Sequence, residues 1–85
     1  MPVAVLPGGK KVAWGKVNKN STEVPISFGT RFTTEPIVSL TAEWVSGGVG
    51  KVETIKTINV ENCIIWSGNA AANYYVNWIA IGEGT

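Results

Sequence analysis

"NYYVNWIAIG", residues 73–82, carries no charged side chain and alternates in the manner of a β-strand. Its two faces hold Tyr74, Val76, Trp78 and Ala80 on one side and Tyr75, Asn77, Ile79 and Ile81 on the other. A strand with one face in the core and one in water is polar on the second face, but here both faces are largely apolar. We predict that one set lines the core and that the other packs against partner chains. The alternation does not say which set does which, and the candidate interface is Tyr75, Asn77, Ile79 and Ile81.

Five upstream segments also have strand signals, and none shows the spacing of an amphipathic helix. They span residues 10–17, 22–28, 35–44, 51–60 and 62–66. The most regular alternation is at 35–44 and a less regular one at 51–60. Turn-forming residues separate them, including a glycine-rich stretch at 45–50 that is expected to be a hairpin turn. Six short strands predict an all-β sandwich or barrel in a single domain, residues 1–85.

The chain is short for a self-sufficient hydrophobic core, with 85 residues. Small domains compensate with disulfides, bound metals or oligomerisation. The single cysteine, Cys63, allows no disulfide within the chain, and the sequence has no histidine and no aspartate for a zinc site. Oligomerisation is therefore the compensation that we expect. Cys63 alternates with Ile65 in an apolar strand, which predicts a buried, inert thiol.

The charge and the residue content of the chain argue against several classes of function. The net charge is +1 and its charged residues are scattered, so no nucleic-acid surface is predicted. Residues 63–82 are uncharged for nearly a membrane-spanning length, but their asparagines and central turn predict a buried hairpin without membrane insertion. Residues 1–11 lack the pattern of a signal peptide. Without histidine or aspartate the usual catalytic triads cannot form, and most of the six glutamates are at strand ends or on polar faces, where solvated carboxylates are expected. We predict no enzyme activity, cofactor or metal.

Trp66 differs from the other three tryptophans because it ends a strand and opens the turn "WSGNAAAN", residues 66–73. An indole ring can stack on the apolar face of a pyranose while hydroxyl and amide groups bond to the sugar hydroxyls. Ser67 and Asn69 supply such groups next to it, and binding sites commonly combine an apolar platform with a few polar groups. The alternative is that Trp66 only packs at the hairpin turn. The other tryptophans are expected to pack in the core or between subunits.

Four stretches together resemble the H-type lectin domain and the C-terminal domain of certain phage tail fibres, which shares its architecture. Residues 6–17, "LPGGKKVAWGKV", are similar to the opening of the tail-fibre domains. Residues 24–44 resemble a segment in which a strand ending in Phe precedes a second Phe and a Pro-x-Val motif. Residues 64–66, "IIW", resemble the strand before the lectin binding turn, and residues 74–82 resemble the closing strand of both families.

This resemblance implies a six-stranded antiparallel β-sandwich that assembles as a trimer around a threefold axis. It also implies sugar binding, typically of N-acetylgalactosamine, near the boundary between protomers, with no enzyme activity and no cofactor. Tail-fibre domains lie at the fibre tip and touch the host surface. The expected location is therefore extracellular or on the surface of a virion.

The resemblance also carries over to individual residues of the site. Trp66 matches the aromatic residue of the lectin site, and Ser67 stands where animal lectins have histidine. Lys51 roughly matches a sugar-binding arginine, although lysine lacks the rigid fork of a guanidinium. Asn18 or Asn20 is the nearest substitute for an acidic residue of the lectins. With Asn69 from the turn, the candidate carbohydrate-binding residues are Asn18, Asn20, Lys51, Trp66, Ser67 and Asn69.

Three hypotheses follow from the sequence. The first, which we favour, is a lectin-like trimeric module that recognises glycans of the N-acetylgalactosamine or galactose type. The second is the receptor-binding tip domain of a phage tail fibre that contacts host-surface glycans. The third is a purely structural trimerisation module, which the apolar second face of residues 74–82 supports without any ligand.

Overall fold

The computed structural model describes residues 2–44 and 51–84, and in these ranges the chain is all-β with no helix. The all-β prediction is therefore confirmed, and these ranges hold no helix able to cross a membrane. The hairpin turn expected at 45–50 lies outside the described residues. The strands are β1 (Val3–Leu6), β2 (Lys10–Asn18), β3 (Glu23–Ser27), β4 (Ile37–Trp44), β5 (Thr54–Ile58), β6 (Asn62–Trp66) and β7 (Tyr74–Glu83).

The strands form two antiparallel sheets, one ordered β1-β2-β7-β4 and the other β3-β6-β5. β7 lies between β2 and β4, and it pairs with β2 from Lys10↔Glu83 to Asn18↔Tyr75. On its other side it pairs with β4 from Ile37↔Ile81 to Trp44↔Tyr74. The segment that first suggested the fold is thus an inner strand of the larger sheet.

The prediction of six strands is wrong by one strand in the described residues. Val3–Leu6 forms β1, which pairs with β2 across the turn at residues 7–9. Gly8 and Gly9 in this turn have φ values of 86° and 80°, a left-handed conformation that glycine adopts without steric cost. The strand expected at 51–60 is shorter, Thr54–Ile58, and a register shift between Ile55 and Thr57 accounts for its irregular alternation.

One hydrophobic core receives side chains from both sheets. In the larger sheet, the alternate residues of β7 that begin with Tyr74 and end with Ala80 point into the core. In the smaller sheet, the inward-pointing residues of β3 and β6 do so. Phe28 lies between Phe32 and Trp78, with ring centroids 5.7 and 5.8 Å away. The indole of Trp78 covers Gly15, where an added Cβ would lie 2.9 Å from a ring carbon. The core members are Ala13, Val24, Ile26, Phe28, Phe32, Cys63, Ile65, Tyr74, Val76, Trp78 and Ala80.

The structure decides which face of β7 is internal. Tyr74, Val76, Trp78 and Ala80 are buried, whereas Ile79 and Ile81 are 51% and 41% exposed in the single chain. The prediction that one set lines the core is confirmed. The other set, Tyr75, Asn77, Ile79 and Ile81, faces away from the core.

Candidate functional site

Trp66 is the last residue of β6, and its side chain is 49% exposed. Strand alternation explains this placement, because Cys63 and Ile65 point into the core and Trp66 therefore points outward. Its neighbours across the sheet are Glu23 on β3 and Thr54 on β5. The Thr54 hydroxyl donates to the Trp66 carbonyl at 2.6 Å. The indole thus offers an open face at one end of the smaller sheet.

A charged pair lies on the same face of the sheet as Trp66. Lys56 Nζ on β5 lies 2.5 Å from Glu23 Oε1 on β3. Because β6 runs between these two strands, the pair crosses β6 on its outer face. An ammonium and a carboxylate therefore lie on the same face of the sheet as the exposed indole, and Glu23 and Thr54 are the cross-strand neighbours of Trp66.

Lys51 and Asn69 meet beside Trp66. Asn69 Nδ2 donates to the Lys51 carbonyl at 2.8 Å. The exposed Lys51 side chain runs past Gly68, whose added Cβ would lie 3.4 Å from Lys51 Cγ. These contacts join the approach to β5 with the β6–β7 turn, which we define as residues 67–73. The structure therefore brings Lys51 and Asn69 into contact, and the turn that holds Asn69 begins directly after Trp66.

Ser67 is in the candidate turn but is fully buried. Its hydroxyl donates to Glu53 Oε2 at 2.6 Å and accepts from Lys19 Nζ at 2.8 Å. It also accepts from the Asn69 amide at 3.1 Å. In the structure the partners of this hydroxyl are therefore groups of the protein beneath the turn. Ser67 supports the site from within and does not lie on its surface.

The two asparagines from the β2–β3 region are placed differently from each other. Asn18 Nδ2 donates to the carbonyls of Ala72 and Tyr74, each at 3.0 Å, so this amide closes the end of the β6–β7 turn. Asn20 is exposed in the connection that follows β2. Asn18 is therefore engaged in the fold, while Asn20 presents its amide to solvent.

Sequence reasoning missed the buried polar cluster beneath the turn, formed by Lys19, Glu53, Ser67 and Tyr74. Glu53 is an exception to the expectation that most of the glutamates are solvated, because its side chain is 4% exposed. Lys19 is fully buried with its Nζ 3.7 Å from Glu53 Oε1. The Tyr74 hydroxyl donates to Glu53 Oε2. Lys19 and Glu53 both stand in polar local sequence, so no local pattern marks them as buried.

A small pocket opens on the other side of the β6–β7 turn. Its volume is about 170 Å³, and it is lined by Trp44, Tyr74 and residues 68–71. The Trp44 and Tyr74 rings meet edge to face with centroids 6.0 Å apart, and Trp44 Nε1 donates to Asn73 Oδ1 at 3.0 Å. Pockets that enclose a drug-sized ligand measure about 300–1,000 Å³, so this one has room only for a small group.

A second surface lies on the outward side of the larger sheet, which we call the outer face. It contains the predicted interface residues of β7 and, beside them, Trp14 of β2 and Ile37 of β4. Trp14 pairs with Ile79, and Ile37 pairs with Ile81. Both Trp14 and Ile37 are exposed, as are Ile79 and Ile81. The outer face therefore has a continuous apolar area across three strands.

Charged groups on the outer face are paired with one another. Lys16 Nζ lies 3.1 Å from Glu43 Oε2, and Asn77 Nδ2 donates to Glu43 Oε1 at 2.9 Å. The hydrogen bonds from Asn77 and Lys16, together with the charge of Lys16, lower the pKa of Glu43. Lys10 at the start of β2 and Glu83 at the end of β7 form a second ion pair. The face carries no net charge from these four residues.

Among the described residues, no three histidine, cysteine, aspartate or glutamate side chains gather in a way that could hold a metal ion. Cys63 is buried, as predicted, and burial raises the pKa of its thiol to about 11.

Comparison of the chain with protein-family models, with curated proteins and with solved structures finds no match. The function of this protein is therefore inferred from the side chains of the turn end and the outer face.

Proposed function

We propose that the chain is a lectin-like module that binds glycans of the galactose or N-acetylgalactosamine type at Trp66. The observation that carries this proposal is the half-exposed indole at the end of β6 with Glu23, Lys56 and Thr54 around it. The apolar C–H face of a pyranose matches an indole ring in size and polarity. The bordering ammonium, carboxylate and hydroxyl groups can bond to its equatorial and axial hydroxyls.

Lys51 and Asn69 extend this polar border toward the β6–β7 turn. Lys51 is exposed and supplies a cationic donor near the edge of the platform. Asn20 is a further exposed amide, in the connection between β2 and β3, next to the buried Lys19. In the proposed site Trp66 gives the stacking surface, Lys51 and Asn20 give hydrogen bonds to the sugar, and Asn69 and Ser67 shape the turn.

The assembly that we propose is a homotrimer of β-sandwiches in which the outer face packs around a threefold axis. The two sheets with a common core support the sandwich. The apolar area around Ile79 and Ile81 supports a protein partner, because exposed patches of this kind commonly mark interaction sites. The partners that cover the outer face are a second and a third copy of this chain, because the paired charges leave no net charge to attract a charged partner.

Titration calorimetry with N-acetylgalactosamine and galactose, after a glycan array, tests the sugar site. Wild type should bind, and Trp66→Ala should weaken binding by about tenfold or more, since a loss of about 1.4 kcal/mol corresponds to that factor. Trp66→Phe keeps an aromatic surface and should retain most of the affinity. Glu61→Gln, one residue before the opposite end of β6, is the matched control and should bind as wild type does. Absence of binding to every glycan on the array by the wild-type trimer overturns the proposal.

A structural trimerisation module is the second candidate, favoured by the extent of the apolar outer face. It predicts a stable trimer that binds no glycan, so the same array separates the two functions. A position at the tip of a phage tail fibre would use the chemistry of the first candidate, with host-surface glycans as ligands.

A further inference from the structure

We propose that Lys19 and Glu53 are positioning residues that hold the β6–β7 turn in the conformation required for sugar binding. This inference rests on the proposed function at Trp66. Neither residue reaches the surface: Lys19 is fully buried, and the Glu53 side chain is 4% exposed. They act on the site through the groups that they bond to inside the turn.

The Lys19 side chain holds the first part of the turn through hydrogen bonds to two carbonyls of the turn and to the Ser67 hydroxyl. Its Nζ donates to the Ser67 carbonyl at 3.2 Å, to Ser67 Oγ at 2.8 Å and to the Asn69 carbonyl. All three hydrogen-bond donors of one ammonium are thus directed at two residues of the turn. The backbone of Lys19 adds to this, because its carbonyl accepts from the Ala71 amide at 3.1 Å and its amide donates to the Tyr74 carbonyl at 2.9 Å.

Glu53 holds the same turn from the side of β5. Its Oε2 accepts from Ser67 Oγ at 2.6 Å, from the Tyr74 hydroxyl and, at 3.5 Å, from Asn69 Nδ2. Its Oε1 is buried and accepts no hydrogen bond from the described residues, so the Lys19 ammonium 3.7 Å away is its compensation. Each of the two charges therefore depends on the other.

The pair connects three chain segments that meet at the site end of the molecule. Lys19 follows β2, Glu53 precedes β5, and the turn follows β6. Trp66 and Lys51 flank the two attachment points, because Trp66 is adjacent to Ser67 and Lys51 is two residues before Glu53. A shift of the pair would therefore move the stacking surface and the cationic donor relative to each other.

Stability alone is a weak reason for a buried ion pair. Replacing such a pair with uncharged groups of similar volume is often neutral or stabilising, whereas removing one partner is strongly destabilising. Binding sites, in contrast, gain affinity when their groups are already ordered before the ligand arrives. Positioning of the turn is the role that accounts for directed bonds from both charges to the same two residues, Ser67 and Asn69.

The test compares Lys19→Met, Glu53→Gln and the double variant with wild type. Amide exchange measured by NMR reports on the turn, and calorimetry with N-acetylgalactosamine reports on the site. In both single variants the Asn69 and Ala71 amides should exchange about tenfold faster relative to Val76 and Trp78 in the core. Sugar affinity should fall by about tenfold, the order expected when charge-assisted hydrogen bonds are lost.

The double variant separates positioning from stability. Its melting temperature should recover relative to the single variants, because no unpaired charge stays buried. Exchange in the turn should stay fast and sugar binding should stay weak, because the directed bonds are still missing. Recovery of affinity together with the melting temperature would overturn the proposal. The matched control is Arg31→Met with Glu61→Gln, an exposed ion pair 3.1 Å apart, which should leave exchange in the turn and affinity unchanged.

Milder variants keep the test decisive where the single variants do not fold. Ser67→Ala and Tyr74→Phe each remove one hydroxyl that donates to Glu53. Each should speed exchange in the turn by a smaller factor than Glu53→Gln. Unchanged exchange in both, or faster exchange with unchanged sugar affinity, overturns the positioning role. If wild type binds no sugar, the proposed function fails, and the exchange measurement still decides whether the pair holds the turn.

Discussion

At the scale of single residues, burial changes the chemistry of two groups. Burial raises the pKa of the Cys63 thiol from 9.0 to about 11. Burial, followed by the hydrogen bond to Glu53, raises the pKa of the Tyr74 hydroxyl from 10.0 to about 12. Both groups therefore hold a proton in the folded chain at pH values where the unfolded chain has released it.

This linkage predicts that the free energy of unfolding decreases as pH rises above about 9. Between pH 9 and 11 the unfolded state binds fewer protons at Cys63 than the folded state does, and Tyr74 adds the same effect between pH 10 and 12. Each group contributes a slope of at most about 1.4 kcal/mol per pH unit.

Urea unfolding of wild type, Cys63→Ala and Tyr74→Phe at several pH values measures how the free energy of unfolding depends on pH. Cys63→Ala should lose the decrease in stability that begins near pH 9. Tyr74→Phe should lose the decrease that begins near pH 10. A level free energy from pH 9 to 11 in wild type would contradict this account.

At the scale of the elements, β7 has one surface that the single chain leaves open. Its two edges pair with β2 and β4, and its inner face lies in the core. Its outer face exposes two large apolar side chains, Ile79 and Ile81, next to Trp14. We propose that contact with other copies of the chain buries these residues.

If the proposed trimer forms through the outer face, Ile79→Glu and Ile81→Glu should each yield monomers or insoluble protein. A carboxylate in an apolar interface loses its hydration without gaining a partner, which is strongly unfavourable. Sedimentation velocity measures the oligomeric state. Thr57→Glu, at an exposed position of β5 in the other sheet, is the matched control and should remain trimeric. A soluble and fully trimeric protein with both isoleucines replaced would refute the interface.

At the scale of the whole molecule, a small core is combined with an apolar surface. The core comes from 85 residues in two sheets, and such domains are marginally stable alone. If the outer face is buried between copies, association and folding are linked by mass action. The stability of the protein then depends on its concentration.

The melting temperature of wild type should therefore rise with protein concentration. For a trimer, each tenfold increase is worth about 1 kcal/mol per chain, which in a domain of this size corresponds to about 4–8 °C. Differential scanning fluorimetry over a hundredfold concentration range measures the shift. The Ile79→Glu and Ile81→Glu variants, where soluble, should lose this dependence. A concentration-independent melting temperature in wild type would show that folding does not require the association.

Local alternation was sufficient to predict most of the fold. The period of two residues in 35–44 and 74–82 indicates strands whatever their partners are, because successive side chains on a strand point to opposite faces. Trp66 is distinguished in the sequence by its place at the end of a strand and the start of a turn, and the structure leaves its side chain half exposed. Alternation does not predict β1, because the apolar run at residues 3–6 is only four residues long, and it overestimates the length of β5.

The sequence by itself determined the all-β class, six of the strand locations and the two apolar faces of β7. Only the tertiary structure decided that the Tyr74 face is internal, that Ser67 lies beneath the turn and that Lys19 meets Glu53. The physical reason is the range of the interactions. Alternation is a property of neighbouring residues, whereas burial of a charged pair depends on the pairing of strands and loops that are distant in the chain.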